Sequence, residues 1–218
     1  MTNLDEYLKK FEIKVEASFK NRVVFIGIQG SYGRKEANEK SDLDLVLILD
    51  ELSYDDLVIY DKLLNSLPHR DKICGFISGM PELLCWDTAD LFQFYYDTVT
   101  IKGDISWMEN KITKRDVRRA LHKAACDIYH MAVHNGIHRK DSNLLKDTYK
   151  NAIFALQAKV YLEKGEYIKR HKDLFKVVEG IDKEICFINE NNIKQSFKML
   201  IETIIKWSKE VIIKYDFL

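Results

Sequence analysis

The chain has 218 residues, with 34 Lys and Arg against 34 Asp and Glu, and 46% of it is hydrophobic. A net charge of zero gives no global field that would draw a membrane surface or a long nucleic acid, and so much apolar sequence with only 2 Pro excludes a disordered chain. The length suits one large domain or two small ones with a real core. Cys74, Cys85, Cys126 and Cys186 lack paired metal-site spacing, the N-terminus lacks the apolar core of a signal peptide, and no apolar stretch approaches the length of a membrane span. A reduced, cytoplasmic protein is the expectation.

In chain order, Asp5 to Lys20 places Leu8, Phe11, Ile13 or Val15, and Phe19 at near-helical spacing, so an amphipathic helix should pack on a sheet. Val23 to Ile28 then reads as a buried strand, Gly30-Ser31-Tyr32-Gly33 as a glycine turn, and the run through Leu49 as a second buried strand that carries Asp42 and Asp44. Strand side chains alternate, so the two acids share one face while Leu43, Leu45, Leu47 and Leu49 take the other. Carboxylates one pleat apart repel each other unless a cation lies between them, and Mg²⁺ is a hard cation that takes oxygen ligands. A surface hairpin with solvated acids explains the pattern poorly. The same strand continues as Val46-Leu47-Ile48-Leu49, and burying unpaired carboxylates beside such a run is costly.

Tyr54 to Leu67 reads as a helix with Ser53 as its N-cap and Pro68 beyond its end. Lys72 to Ser78 is the expected third strand, and it contains no acid of its own: Asp71 lies at its entrance, Glu82 and Asp87 beyond it. Between Leu91 and Gly103 the aromatics suit core and cleft wall, and Thr98 to Ile101 suits a last short strand. Asp87, Asp90, Asp97 and Asp104 read either as a rim for a cationic molecule or as solvated surface. The strand-rich part ends near Gly103-Asp104, which divides the chain into domains 1–104 and 105–218.

The remainder reads as helical. Lys114 to Asn135 repeats Val117, Leu121, Ala124 or Ala125, and Ile128 along one face, with Asn135-Gly136 as its stop. Further helices are expected from Ser142 or Leu144 to Lys164, from near Lys172, and from Ile193 to about Tyr215, packed as an antiparallel bundle. Asp127, His130 and His134 line one helix face, a spacing open to zinc or to plain solvation. The basic run Lys169, Arg170, His171 and Lys172 suits either a phosphate contact or a solvated loop. The fold class is α+β: a small mixed β-sheet with covering helices, followed by an α-helical bundle.

Gly30-Ser31, the ten residues Tyr32 to Ser41, and Asp42-Leu43-Asp44 at the head of an apolar strand resemble the nucleotidyltransferase signature of the DNA polymerase β-like superfamily, of the aminoglycoside and minimal types. Arg34 and Ser41-Asp42 also fall where small members carry Arg and Ser-Asp. Tyr149 to Phe175 resembles the helical domains of the same groups, the HEPN type included, although Arg118-Arg119-Ala120-Leu121-His122 is spaced more tightly than the HEPN ribonuclease motif.

The resemblance implies that Asp42 and Asp44 are catalytic and hold Mg²⁺, and that Gly30, Ser31 and Arg34 bind the nucleotide. It implies transfer of a nucleoside monophosphate from a nucleoside triphosphate, with ATP as first choice, to a hydroxyl of a small molecule such as an aminoglycoside-like antibiotic, releasing pyrophosphate. The family's usual third carboxylate has Asp71, Glu82 and Asp87 as candidates. Two alternatives stay open: a transferase acting on protein or RNA in a toxin–antitoxin-like pair, and a nucleotide-binding regulatory module. The expected partners are the nucleotide and a small-molecule acceptor, with no membrane and no long nucleic acid, and a homodimer is left open.

Overall fold

The computed structural model describes residues 3–191 and 195–216. They form two compact units, one made of Met1–Asp87 with Asp97–Asn110, the other of Thr88–Tyr96 with Lys111–Leu218. In the first unit α1 (Leu4–Phe19) is capped by Asn3, whose side chain accepts from the Glu6 N–H at 3.2 Å. It is followed by β1 (Val23–Gln29), α2 (Gly30–Gly33), β2 (Leu43–Leu49), α3 (Tyr54–Asn65), β3 (Ile73–Gly79) and α4 (Met80–Leu84). Next in the chain comes α5 (Thr88–Asp97), of which Asp97 alone counts with this unit, and then β4 (Val99–Lys102).

The sheet has the order β3-β2-β1-β4. β1 is antiparallel to β2 and β4, and β2 is parallel to β3, so the sheet is mixed, as expected. Alternation along β2 decides what lies on each face. Leu43, Leu45, Leu47 and Leu49 join Tyr7, Phe11, Val15 and Phe19 of α1 and Leu63 and Leu64 of α3 in one apolar cluster. The even-numbered residues Asp44, Val46 and Ile48 therefore face the other way.

Opposite the Asp44 end of β2, an ionic knot ties α3 to the sheet. Arg22 Nη1 bonds Asp56 at 2.6 Å, its Nε bonds Asp50 at 3.0 Å, and its Nη2 donates to the Glu51 carbonyl at 2.9 Å. Asp56 also completes a capping box with Ser53, as the expected N-cap requires.

The second unit contains the rest of α5, then α6 (Lys114–His134), a π-helical turn (Asn135–Arg139), α7 (Ser142–Lys164), α8 (His171–Val177), α9 (Gly180–Asn191) and α10 (Phe197–Lys214). α6 packs on α7 and α10, and α9 on α7 and α10. Val117, Leu121, Ala125, Leu156, Ile185, Ile204 and Trp207 are buried among the core they share. Asp182 anchors this core from within: it accepts from Trp207 Nε1 at 2.8 Å and pairs with Lys159.

α6 ends where expected, at His134 with Asn135 as its C-cap, and the chain continues into the π turn. Asn135 is fully buried, donates to the Asp141 carbonyl and accepts from the Asp141 N–H, both at 2.9 Å. That exchange stands in for a glycine cap, and Asp141 goes on to cap α7. The helix expected from near Lys172 begins at His171 as α8, and α9 follows it from Gly180, which lies in the left-handed region. The expected start at Ile193 lies outside the described residues, where α10 is recorded from Phe197. Among the described residues no helix is long and apolar enough to cross a membrane.

The knot carries a pH dependence of definite sign. The Arg22 guanidinium, against the opposing effect of burial and helped by Ser53, holds the Asp56 carboxyl far below the usual carboxylate range. A depressed folded-state pKa contributes stability above the unfolded value of 3.8, and that contribution is lost as pH falls through the folded one. Asp56→Asn is expected to cost about 2 kcal/mol at pH 7. Urea denaturation should show its gap to wild type narrowing as the pH is lowered below 3.8. An equal gap at both pH values would mean that the charge contributes nothing.

Candidate active site

The site grows out of the end of β1, where the chain must reverse immediately. Gly30 makes the reversal with φ +64°, in the left-handed region that glycine adopts without strain. The Arg34 N–H then bonds the Gly30 carbonyl at 3.0 Å and the Glu36 N–H bonds the Ser31 carbonyl at 2.8 Å, closing a tight turn. Register places the rest. Gln29 pairs with Asp44, Asp44 pairs with Cys74, and Gln29 Nε2 donates to Oγ1 of Thr98, immediately before β4, at 2.7 Å. Residues directly opposite each other share a face, so Cys74, Asp44, Gln29 and Thr98 form a row across the sheet.

Within that row the Asp44 carboxylate rests on Gly30. A β-carbon at Gly30 would lie 1.9 Å from Asp44 Oδ2, a distance no side chain tolerates. Asp42 is exposed just before β2, two residues ahead of Asp44, and Ser31 is half-buried in the turn. The fold thus brings the head of β2, with its two acids, and the Gly30-Ser31 turn to one end of the central strands. Two carboxylates with hard oxygen donors suit Mg²⁺, which often takes one or two protein carboxylates and completes its shell with water and phosphate oxygens. Among the described residues no group of three or more His, Cys, Asp or Glu is arranged around a metal position.

Arg34 stands at the same turn but points inward. It is 6% exposed, and its Nη1 bonds the two carboxylate oxygens of Asp97 at 2.8 and 3.2 Å while its Nε lies 3.5 Å from Glu36. Asp97 is no part of a solvated rim. It is buried, and its Oδ2 also accepts the Gly30 N–H at 3.3 Å. Sequence reasoning passed over its role, although an acid inside Phe92-Gln93-Phe94-Tyr95-Tyr96-Asp97 is a signal, because an acid in an apolar run needs a partner.

The parallel register sorts the three candidate acids. β2 and β3 run together from Asp44 and Cys74 to Leu49 and Gly79. Glu82 folds over the far end, its Oε2 2.3 Å from where a β-carbon of Gly79 would be. That is about 16 Å of strand from Cys74. Asp87 precedes α5, a helix about 15 Å long that ends at Asp97. Asp71 is exposed in the turn before β3, at the Asp42 end. In the second unit the His130 and His134 rings are 6.1 Å apart and those of His134 and His138 4.8 Å apart, all three exposed. The basic run there is held by Gln157, whose amide donates to the Ile168 and Lys169 carbonyls at 2.9 and 3.0 Å.

Two glycine substitutions separate backbone strain from the carboxylate contact. Gly165 also has positive φ, +77°, but a β-carbon there meets nothing within 4 Å. Gly165→Ala is expected to cost about 1 kcal/mol, and Gly30→Ala about 2 kcal/mol more because Asp44 must move. Urea denaturation of both variants checks this, and equal losses would mean that Asp44 does not depend on Gly30.

The nucleotidyltransferase domain family matches residues 8–120, just over half of the chain. No curated protein matches the sequence. Among solved structures, spectinomycin adenyltransferase AAD(9) from Enterococcus faecialis, determined with ATP and spectinomycin, has the same fold at 13% identity, with a TM-score of 0.63 over 96% of this chain and 99% of that one. A nucleotidyltransferase-like protein from Exiguobacterium sibiricum 255-15 gives a TM-score of 0.35 at 11% identity, covering 97% of this chain and 75% of that one. The chain belongs to the nucleotidyltransferase domain family, and it is a nucleotidyltransferase.

Proposed function

We propose that the protein transfers a nucleoside monophosphate from a nucleoside triphosphate, ATP by preference, to a hydroxyl of a small molecule of the aminoglycoside or aminocyclitol kind. The observation that carries this reading is the seating of the Asp44 carboxylate on Gly30, with exposed Asp42 two residues before it in the chain. An acid pair in contact with a side-chain-free turn suits a polyphosphate and its cation together. The match in fold along nearly the whole length of a spectinomycin adenyltransferase supports a small acceptor and ATP.

In this reading Asp42 and Asp44 would hold Mg²⁺, which would supply positive charge to neutralise the phosphates and polarise the α-phosphorus. Gly30 lets the backbone approach the phosphates, and Ser31 offers them its hydroxyl. Arg34 serves the same subsite by holding the turn closed from within. The acceptor oxygen forms a bond to the α-phosphorus, the bond from that phosphorus to the bridging oxygen breaks, and the electron pair leaves with pyrophosphate. The acceptor proton goes to a base outside β3. Of the three acids considered, Asp71 is the one on the Asp42 side. The protein's contribution is mainly position and charge, with no covalent intermediate. The domains 1–104 and 105–218 then divide the labour between nucleotide and acceptor, in a protein working in the cytoplasm.

Pyrophosphate release is the test, with Mg²⁺, each of the four nucleoside triphosphates, and a panel of aminoglycosides, spectinomycin and lincosamides. Asp42→Asn and Asp44→Asn are each expected to lower kcat/KM by about 10³ or more while leaving the circular dichroism of the fold unchanged. Full activity of either variant would overturn the assignment of the acid pair. Labelling of a protein or RNA by radiolabelled ATP, with silence across the panel, would move the acceptor to a macromolecule.

A further inference from the structure

Asp97 is bound to two parts of the turn at once, and both contacts come from a residue more than sixty positions away in sequence. Its carboxylate bonds the Arg34 guanidinium from the side and the Gly30 N–H from above, and Asp97 and Arg34 are both buried. Gly30 is the residue against which Asp44 rests. A chain of direct contacts therefore runs from Asp97 through Gly30 to Asp44, with Arg34 and Glu36 closing the far side of the turn. A buried carboxylate is tolerated where charge and hydrogen bonds meet it, and at Asp97 they come from the two ends of one turn.

We infer that Asp97 is a positioning residue for nucleotide binding, setting the Gly30-Ser31 turn, and through it Asp44, in the geometry the phosphates need. The inference rests on the proposed nucleotide site and adds to it a residue that touches neither substrate nor metal. It also accounts for the inward-facing Arg34, whose guanidinium pairs with the Asp97 carboxylate and fixes it where it accepts the Gly30 N–H. The arrangement leaves the Gly30 N–H committed to the protein, so the phosphates meet the open face of the turn.

The test compares Asp97→Asn with Asp56→Asn, a change at the opposite end of the same sheet that also removes one partner of an arginine pair. Hydrogen exchange without nucleotide reads the brace directly. In Asp97→Asn the amides of residues 30–36 should lose protection while those of β1 and β2 keep theirs, and in Asp56→Asn the turn should be unchanged. Calorimetric titration with MgATP reads the consequence. Affinity should fall about tenfold or more in Asp97→Asn and stay at the wild-type value in Asp56→Asn. If Asp97→Asn is too unstable to study, Asp97→Glu keeps the charge and displaces it by one methylene, with the same two changes expected.

Unchanged exchange at residues 30–36, or wild-type ATP affinity in both Asp97 variants, would overturn the inference. So would equal losses of affinity in Asp97→Asn and Asp56→Asn, which would show only general destabilisation. Failure of the wild type to bind any of the four nucleoside triphosphates would instead remove the proposed nucleotide site, and the exchange data would still decide whether Asp97 holds the turn.

Discussion

β2 must bury both its faces and still carry acids at its head, and the rest of the first unit answers to that constraint. Leu43 to Leu49 are buried in a strand with neighbours on both sides, apart from half-buried Asp44. The odd-numbered leucines are committed to α1 and α3, so a slip of one residue would put Asp42 and Asp44 into the apolar cluster and four leucines in their place. The penalty for buried, unpaired carboxylates makes this one of the most strongly specified registers a sheet can have. Its effect is to hold Asp44 at the head of β2, on the face away from α1 and α3, where Gly30 already turns.

The two ends of this sheet use similar chemistry for different ends. Away from the site, Arg22 joins Asp50 and Asp56 where the guanidinium is partly open to water, so its value is modest and its work is to fix α3. At the site, Arg34 and Asp97 are paired out of water. A buried pair adds little net stability compared with apolar residues of the same size, so its persistence at a turn of positive φ points to geometry as what it secures. The positive φ at Gly30 and the burial of Asp97 are found together for that reason.

The second unit has a different logic, since its helices are held by ordinary apolar packing with a few polar anchors. Asp182 satisfies Trp207 and Lys159 together, Asn135 satisfies both polar groups of Asp141, and Gln157 fixes the chain after α7. Around α5, Phe92, Tyr96, Tyr161 and Tyr167 pack ring against ring, with centroids from 4.8 to 5.6 Å apart. Phenol and amide groups inside the cluster are bonded to one another: Tyr96 to Tyr161 at 3.2 Å and Gln93 to Tyr167 at 3.0 Å. The amphipathic spacing accounts for the helices, and these anchors account for where the chain leaves them.

The sequence by itself determined the elements and the reaction class. Apolar runs and period-two alternation marked the strands between Val23 and Leu49, near-helical spacing marked α1 and α6, and the Ser53 cap and Pro68 bounded α3, because all of these are set by neighbours within a turn or a pleat. The Gly-Ser and Asp-x-Asp stretch is also local, and its resemblance to the nucleotidyltransferase signature implied the reaction class. Only the tertiary structure decided which distant groups meet. It showed that Asp97 is buried on Arg34 and Gly30, that Glu82 lies at the Gly79 end of β3 and Asp71 at the other, and that Asn135, the C-cap of α6, also binds the backbone of Asp141. Those pairings depend on strand register and on contacts across many residues, and the residue types are compatible with several of them, so the choice appears only once the sheet is assembled.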